Sequence, residues 1–278
     1  MNIAVLHPGA MGISVAAALK TNQRDVYWVA EGRSTATRGR AESIGLKALS
    51  ALADLSKMDA VISVCPPDAA QTLASQVIAT GFQGIYLDAN AIAPTTAKHI
   101  ASRFGSNYVD GGIIGPPAHQ AGTTRLYLSG AKAATVQEWF AGALLDSIVI
   151  CGDTGAASAL KMCYAAYTKG MAALVLAVRA LAEAEGVTDA LLSEWAVSQP
   201  GLEKRSELVA RGTGPKAWRF TGEMEEIARS FTDAALPGEF HHAAAEIYRR
   251  LDSLKHTAAP TLDQALALLL EPDTNPGA

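Results

Sequence analysis

Short apolar runs alternate with longer stretches of helical period over the first half of the chain. Helical period alone fills the second half. Asn2 to Leu6 is apolar, rich in β-branched residues and too brief for a helix, so it reads as a buried strand. Pro8-Gly9 breaks it, and a small-residue helix follows from the Ala10-Met11-Gly12 turn. The same reading gives strands at Asp25–Val29, Ala60–Cys65, Gly84–Asp88, from Tyr108, at Arg125–Gly130 and at Ser147–Ile150. Helices fall over about 69–79, after Pro94, and over 133–143. Strands alternating with helices of this length predict an α/β fold, a doubly wound parallel sheet of the Rossmann type. Asp110 to Pro117, dense in glycine and proline, reads as a turn at the sheet's rim.

From Gly152 the pattern changes. Gly152-Asp153-Thr154-Gly155 offers a helix start, and a helical pattern persists to Glu185 before Gly186 ends it. About thirty helical residues span roughly 45 Å. Apolar residues recur along one face, from Leu160 through Tyr164, Tyr167, Met171 and Leu174 to Leu181. Further helices follow at 189–198, 201–211, 216–231, 240–254 and 261–270. The expected organisation is a dinucleotide-binding domain over 1–152 and an interdomain helix over 153–185. An all-α substrate and dimerisation domain over 186–270 and a loose polar tail over 271–278 complete it.

Composition narrows the function. A net charge of −4 over 278 residues, with no extended basic face, argues against nucleic acid as a partner. Cys65, Cys151 and Cys163 are too few for a disulfide framework, and none has a Cys or His at metal-ligand spacing. Their usage suits a reducing cytoplasm. The apolar stretch from Met171 to Leu181 is broken by Arg179 and falls short of a membrane span. A soluble enzyme with a small-molecule substrate is the expectation.

The candidate chemistry begins at the first turn. A strand, a glycine turn and a helix start expose unpaired N–H groups at the positive end of a helix dipole, which suits a phosphate. Gly9 lets the backbone approach a pyrophosphate, and Gly12 lets the helix lie close on the strand. His7 stands where a dinucleotide fingerprint has its first glycine. After the second strand come Glu31 and then Arg33 with Ser34, Thr35 and Arg38. An acid there suits the free ribose of NAD, whereas a guanidinium with hydroxyls suits the 2′-phosphate of NADP. NADP is favoured, with Glu31 turned away, and NAD remains possible. The same residues also read as a plain helix start, with Ser34 or Thr35 as N-cap and the basic side chains in water. Ligands of such sheets lie outside the strands' carboxyl ends, so Cys65-Pro66 and Asn90 share a rim with Gly9, Ala10, Met11 and Gly12.

Lys161 sits one turn inside the long helix, between Ala157 and Ala165. A lysine emerging from a partly apolar cleft is suited to proton transfer. Lys169 and Arg179 read as solvent-facing. Trp218, Arg219, Phe220 and Glu223 are candidates for the substrate side, although an aromatic helix face also reads as core.

These features together resemble the β-hydroxyacid dehydrogenase superfamily, which includes 6-phosphogluconate and 3-hydroxyisobutyrate dehydrogenases, with imine reductases as a diverged branch. Pro8-Gly9-Ala10-Met11-Gly12 resembles the family's G-x-G-x-M-G loop, and Gly32-Arg33-Ser34 its Asn-Arg-Ser/Thr turn in NADP users. Gly122-Thr123 with Leu126 to Gly130 is similar to the end of its substrate-loop segment. Gly152-x-x-Gly155 with Lys161 resembles the start of its long helix, where the lysine is the catalytic acid/base. Lys216 to Ala228 resembles a poorly characterised C-terminal helical domain.

The resemblance implies a nicotinamide bordered by Cys65-Pro66, Asn90 and the Ile113-Ile114-Gly115 turn. It also implies a homodimer in which the C-terminal helices of one subunit complete the other's cleft. Two departures qualify it. Ile114 replaces the serine of the carboxylate-holding loop, and Tyr164-Ala165 stand where an asparagine usually follows the lysine. The expected activity is NADP(H)-dependent interconversion of a secondary alcohol, hydroxy-acid-like, and a ketone. Imine reduction, or a scaffold that binds NADP(H) without turnover, are the alternatives.

Overall fold

The computed structural model describes residues 1–271, so the expected tail lies outside the described residues apart from Glu271. Two compact units divide inside the long helix, Met1–Met162 and the remainder from Cys163.

The first unit alternates strand and helix in the order β1 (Asn2–Leu6), α1 (Ala10–Lys20), β2 (Asp25–Val29), α2 (Thr35–Ser43), β3 (Lys47–Leu49), β4 (Ala60–Ser63) and α3 (Ala70–Ala79). It continues with β5 (Ile85–Asp88), α4 (Pro94–Phe104), β6 (Tyr108–Ile114), β7 (Thr124–Ser129), α5 (Ala133–Gln137) and β8 (Leu145–Val149). The strands form one sheet in the order β3-β2-β1-β4-β5-β6-β7-β8. β1 lies between β2 and β4, so the winding reverses there, and the crevice at the carboxyl ends of β1 and β4 is the switch point where ligands of such sheets bind.

Alternation along each strand divides the core between two faces. Ile3, Val5, Ile62, Leu87, Val109 and Leu126 pack with Val15 and Leu19 of α1 and Val136 of α5. Ala4, Leu6, Val61, Tyr86 and Tyr108 pack with Leu73 and Val77 of α3 and Ile100 of α4.

The sheet departs from the expectation in three places. β7 runs antiparallel to β6, because nine residues connect them and a parallel return needs a crossover of about a dozen or more. β6 continues to Ile114 where a turn was expected, and all seven of its residues are buried. Interior position, rather than propensity, holds Gly111 and Gly112 in the strand. β3 is three residues long with only Leu49 buried, too little pattern to register in the sequence.

α6 (Ala156–Ala184) begins in the first unit and ends in the second. It is long and apolar enough to cross a membrane by length and composition, and half of its apolar window is buried within the protein. The second unit adds α7 (Thr188–Ser198), α8 (Leu202–Thr213), α9 (Ala217–Asp233), α10 (Glu239–Arg250) and α11 (Leu262–Leu270). Lys169 and Arg179 are not solvent-facing, as the sequence suggested. Lys169 forms a largely buried ion pair with Glu223 of α9 and lies 4.7 Å from the Phe220 ring centroid. The Tyr248 hydroxyl of α10 donates to the Lys169 carbonyl at 2.6 Å. Arg179 is only 8% exposed and donates to Ser206 Oγ of α8 at 2.8 Å. Both cations fall on the face that α8 to α10 cover, and periodicity alone does not reveal that cover.

Candidate active site

The turn after β1 is shaped for close approach. His7 takes a left-handed conformation (φ +66°), and the Gly9 N–H donates to the His7 carbonyl at 2.6 Å. A Cβ at Gly12 would lie 2.4 Å from that carbonyl oxygen, so only glycine lets α1 start this close to β1. No side chain caps α1 at Gly9, which leaves the N–H groups of Ala10, Met11 and Gly12 directed at the switch point. This corner fits a diphosphate.

Arg33 and Ser34 follow β2 on the same rim. Ser34 is the N-cap of α2 and accepts from the Thr37 N–H at 3.3 Å, one of the two alternatives the sequence left open. Arg38 is drawn back to the Ala30 carbonyl (3.0 Å) and lies 5.9 Å from the Trp28 ring centroid. Arg40 donates to the Pro8 carbonyl at 3.2 Å and so buttresses the first turn. Arg33 extends over the rim, close enough for its charge to reach His7 and Cys65. Burial, and then the Arg33 charge, push the His7 imidazole down to about 4. His7 is therefore neutral at ordinary pH. Its Nδ1 is buried and makes no hydrogen bond within the described residues. The Arg33 guanidinium thus stands within electrostatic reach of the residue that opens the first turn.

Asn90 joins the ends of β4 and β5. Its Oδ1 accepts from the Cys65 N–H at 2.6 Å, its Nδ2 donates to Ser63 Oγ at 2.9 Å, and its own N–H donates to Asp88 Oδ1 at 3.1 Å. Asn90 is 3% exposed, so its amide positions the rim, and what it offers a ligand is the backbone of the turns it joins. Burial pushes the Cys65 thiol up to about 12, so Cys65 contributes surface and no thiolate. Pro66 is exposed beside it.

Lys161 is placed by two contacts that its own neighbourhood in the sequence does not reveal. The Asp110 carboxylate of β6 accepts from the Gly155 N–H (3.0 Å), the Ser158 N–H (3.0 Å) and Ser158 Oγ (2.5 Å) at the start of α6, and also from Ser129 Oγ (2.9 Å). An acid on a strand thus holds the helix's positive end. Two residues on and facing the same way, Gly112 lies directly under the helix. A Cβ there would meet the Ala157 carbonyl oxygen at 2.6 Å and the Lys161 Cβ at 3.1 Å. Lys161 is half-buried against the carboxyl half of β6, whose last residues, Ile113 and Ile114, are 7% and 5% exposed. Gly115 opens the turn that follows.

The first unit therefore gathers Gly9 to Gly12, Arg33, Ser34, Cys65, Pro66, Asn90, Ile113 to Gly115 and Lys161 at the carboxyl ends of the strands. Trp218 and Glu223 lie on α9 of the second unit. Glu223 is paired with Lys169, and Trp218, 37% exposed, carries the Lys255 ammonium 4.0 Å from its ring centroid. Sequence reasoning missed Asp110, Arg40 and the amide role of Asn90. A buried acid two residues before Gly112 was the available signal.

This arrangement is the fold shared by hydroxyacid dehydrogenases and imine reductases, in agreement with the sequence resemblance. Among solved structures, the chain is similar to 3-hydroxyisobutyrate dehydrogenase from Salmonella typhimurium (TM-score 0.70, 16% identity, 96% of this chain and 99% of that one). It is also similar to a reductive aminase from Aspergillus terreus in complex with NADPH and ethyl levulinate (TM-score 0.55, 16% identity, 96% and 99%). In sequence, a protein of Methanothermus fervidus, described as an uncharacterized 28.5 kDa protein in the 7S RNA 5′ region, is 33% identical over 172 residues. That match spans 60% of this chain and 66% of the relative. Residues 182–251 match a family model described as a domain of unknown function, DUF1932.

Proposed function

We propose that the protein is an NADP(H)-dependent oxidoreductase that interconverts a secondary alcohol, hydroxy-acid-like, and a ketone, with Lys161 as general acid/base. The observation that carries this reading is the seating of Lys161: Asp110 fixes the start of α6, and Gly112 admits the helix against β6 at the sheet's ligand-binding rim. The NADPH-bound structure with this fold supports a nicotinamide cofactor. Bound there, the nicotinamide supplies the hydride. The Gly9 to Gly12 turn holds the diphosphate, and Arg33 with Ser34 holds the 2′-phosphate. Cys65-Pro66, the Asn90 turn and Ile113-Ile114 border the ring and exclude water. Lys161 Nζ gives a proton to the substrate oxygen in reduction and takes it back in oxidation.

The apolar pair Ile113-Ile114, standing where the family it resembles has a carboxylate-holding serine loop, favours imine reduction as a second reading, with Lys161 peripheral. A stripe of partly exposed apolar residues on α6, Tyr164, Tyr167, Met171, Leu174, Val178 and Leu181, recurs at three and four residues and calls for cover. A second copy supplying that cover makes the working form a homodimer. The chain acts as a cytoplasmic, soluble enzyme on a small molecule.

The test is Lys161→Ala, assayed with ketones, hydroxy acids and cyclic imines beside NADPH binding. Turnover of ketone or alcohol drops by roughly two to four decades while NADPH affinity is unchanged. Unaltered turnover removes Lys161 from the mechanism. Imine turnover that survives the substitution supports the second reading, and NADPH binding with no turnover across the panel supports a scaffold.

A further inference from the structure

Four polar residues form a row across the sheet, level with the carboxyl ends of β4 and β5. Ser63 of β4 pairs with Asp88 of β5, Asp88 with Asp110 of β6, and Asp110 with Ser129 of β7. Residues paired in register share a face of the sheet, and each of these four is at most 1% exposed. Two buried carboxyl groups therefore stand on adjacent strands, about 4.8 Å apart in backbone.

Their surroundings differ sharply. Asp110 accepts four hydrogen bonds, three of them from the start of α6. Asp88 accepts one well-formed bond, from the Asn90 N–H to Oδ1, while the Asn90 side chain and the Tyr108 hydroxyl stand near the carboxyl and its buried Oδ2 makes no bond of good geometry. Like charges this close do not both persist in a buried row, and the proton goes to the group with fewer donors. Burial, and then the Asp110 charge, push Asp88 up to about 7 against the opposing pull of the Asn90 N–H, the Asn90 side chain and the Tyr108 hydroxyl. The other titratable groups whose charge reaches Asp88 are Tyr86 on β5, Tyr108 on β6 and Cys65 after β4. Burial pushes each of them up, so all three are neutral near pH 7. On α6, Lys161 stands one step further along the same face, over Gly112. Asp88 in turn holds Asn90, which joins Ser63 and Cys65 at the rim.

We propose that Asp88 is a positioning residue that carries a proton on Oδ2, and that this neutral form keeps Asn90 bracing the β4 and β5 turns. Ionised, Asp88 holds the Asn90 N–H more tightly but is pushed away from Asp110, and the shift of its carboxylate displaces the brace. The consequence for the rim rests on reading that rim as the cofactor site; the proton itself does not.

Two measurements test it. In wild-type protein labelled with 13C-carboxyl aspartate and without ligand, one aspartate resonance titrates with a midpoint near 7, and it is missing in Asp88→Asn. By fluorescence titration, wild-type NADPH affinity weakens severalfold between pH 6 and pH 8. Asp88→Asn, a neutral isostere, holds the pH 6 affinity at both. No aspartate titrating above the usual carboxylate range, or identical affinity profiles in the two proteins, overturns the proposal. A resonance with midpoint near 7 in a protein that binds NADPH at neither pH upholds the proton on Asp88 and sinks the functional reading instead. The wild-type titration needs no variant, so a poorly folding Asp88→Asn leaves the test intact.

Discussion

Gly112→Ala moves the proposed proton donor without touching it. The added Cβ would lie 2.6 Å from the Ala157 carbonyl oxygen and 3.1 Å from the Lys161 Cβ. Carbon and carbonyl oxygen ordinarily meet at about 3.3 Å or more, so α6 must lift from β6 by roughly 0.7 Å. Ala157 shares its turn with Ser158, whose N–H lies 3.0 Å from Asp110 Oδ2, and a shift of that size takes the bond past useful range. Overpacking of this kind costs about 1–3 kcal/mol, and in a domain of this size each kcal/mol lowers the unfolding temperature by about 2–4 °C. A catalytic group displaced by about 1 Å loses on the order of 10²-fold in rate. The Gly9 to Gly12 turn lies on another strand, so NADPH affinity should hold. The assay pairs a thermal melt with NADPH-coupled turnover and a binding titration. A lowered melting temperature with turnover within about twofold of wild type would show that the placement of Lys161 does not matter to the chemistry. An unchanged melt and unchanged turnover would refute the close packing of α6 on β6.

Three further outcomes follow from other parts of the site and of α6. Arg33→Ala should weaken NADPH by about ten- to a hundredfold, the worth of a charged hydrogen bond of about 1.5–3 kcal/mol, while NADH binding stays put; equal losses for both would move the 2′-phosphate elsewhere. His7 is depressed from 6.5 to about 4 in the folded protein, so the unfolded chain takes up its proton first. Stability from this group is full above about 6.5 and is lost as pH falls towards about 4. A pH series of melts should show that acid-side loss reduced in His7→Asn, which tolerates the left-handed backbone, and equal slopes would contradict it. Leu174→Glu, a charge placed mid-stripe on α6, should convert a dimer to a monomer by sedimentation; a wild-type chain that sediments as a monomer at micromolar concentration would remove the stripe's need for a second copy.

Much of the architecture follows from local pattern. The β-branched run at Asn2–Leu6, its stop at Pro8-Gly9 and the repeat of that unit determine strands and helices within a few residues, because burial on both faces of a parallel sheet leaves continuous apolar runs. The glycine corner and the Arg33-Ser34 turn are legible for the same reason: each is a local feature of the chain. Tertiary structure alone decided what lies opposite what. Gly111-Gly112 is strand because neighbours cover it, β7 is antiparallel because its connection is short, and Lys169 is paired because α9 brings Glu223 to it. Asp88 and Asp110 are 22 residues apart in sequence and neighbours in register, and that adjacency is what sets two buried carboxyl groups side by side. Charge and hydrogen bonding are properties of pairs, and pairs this distant in the chain exist only once the sheet has closed.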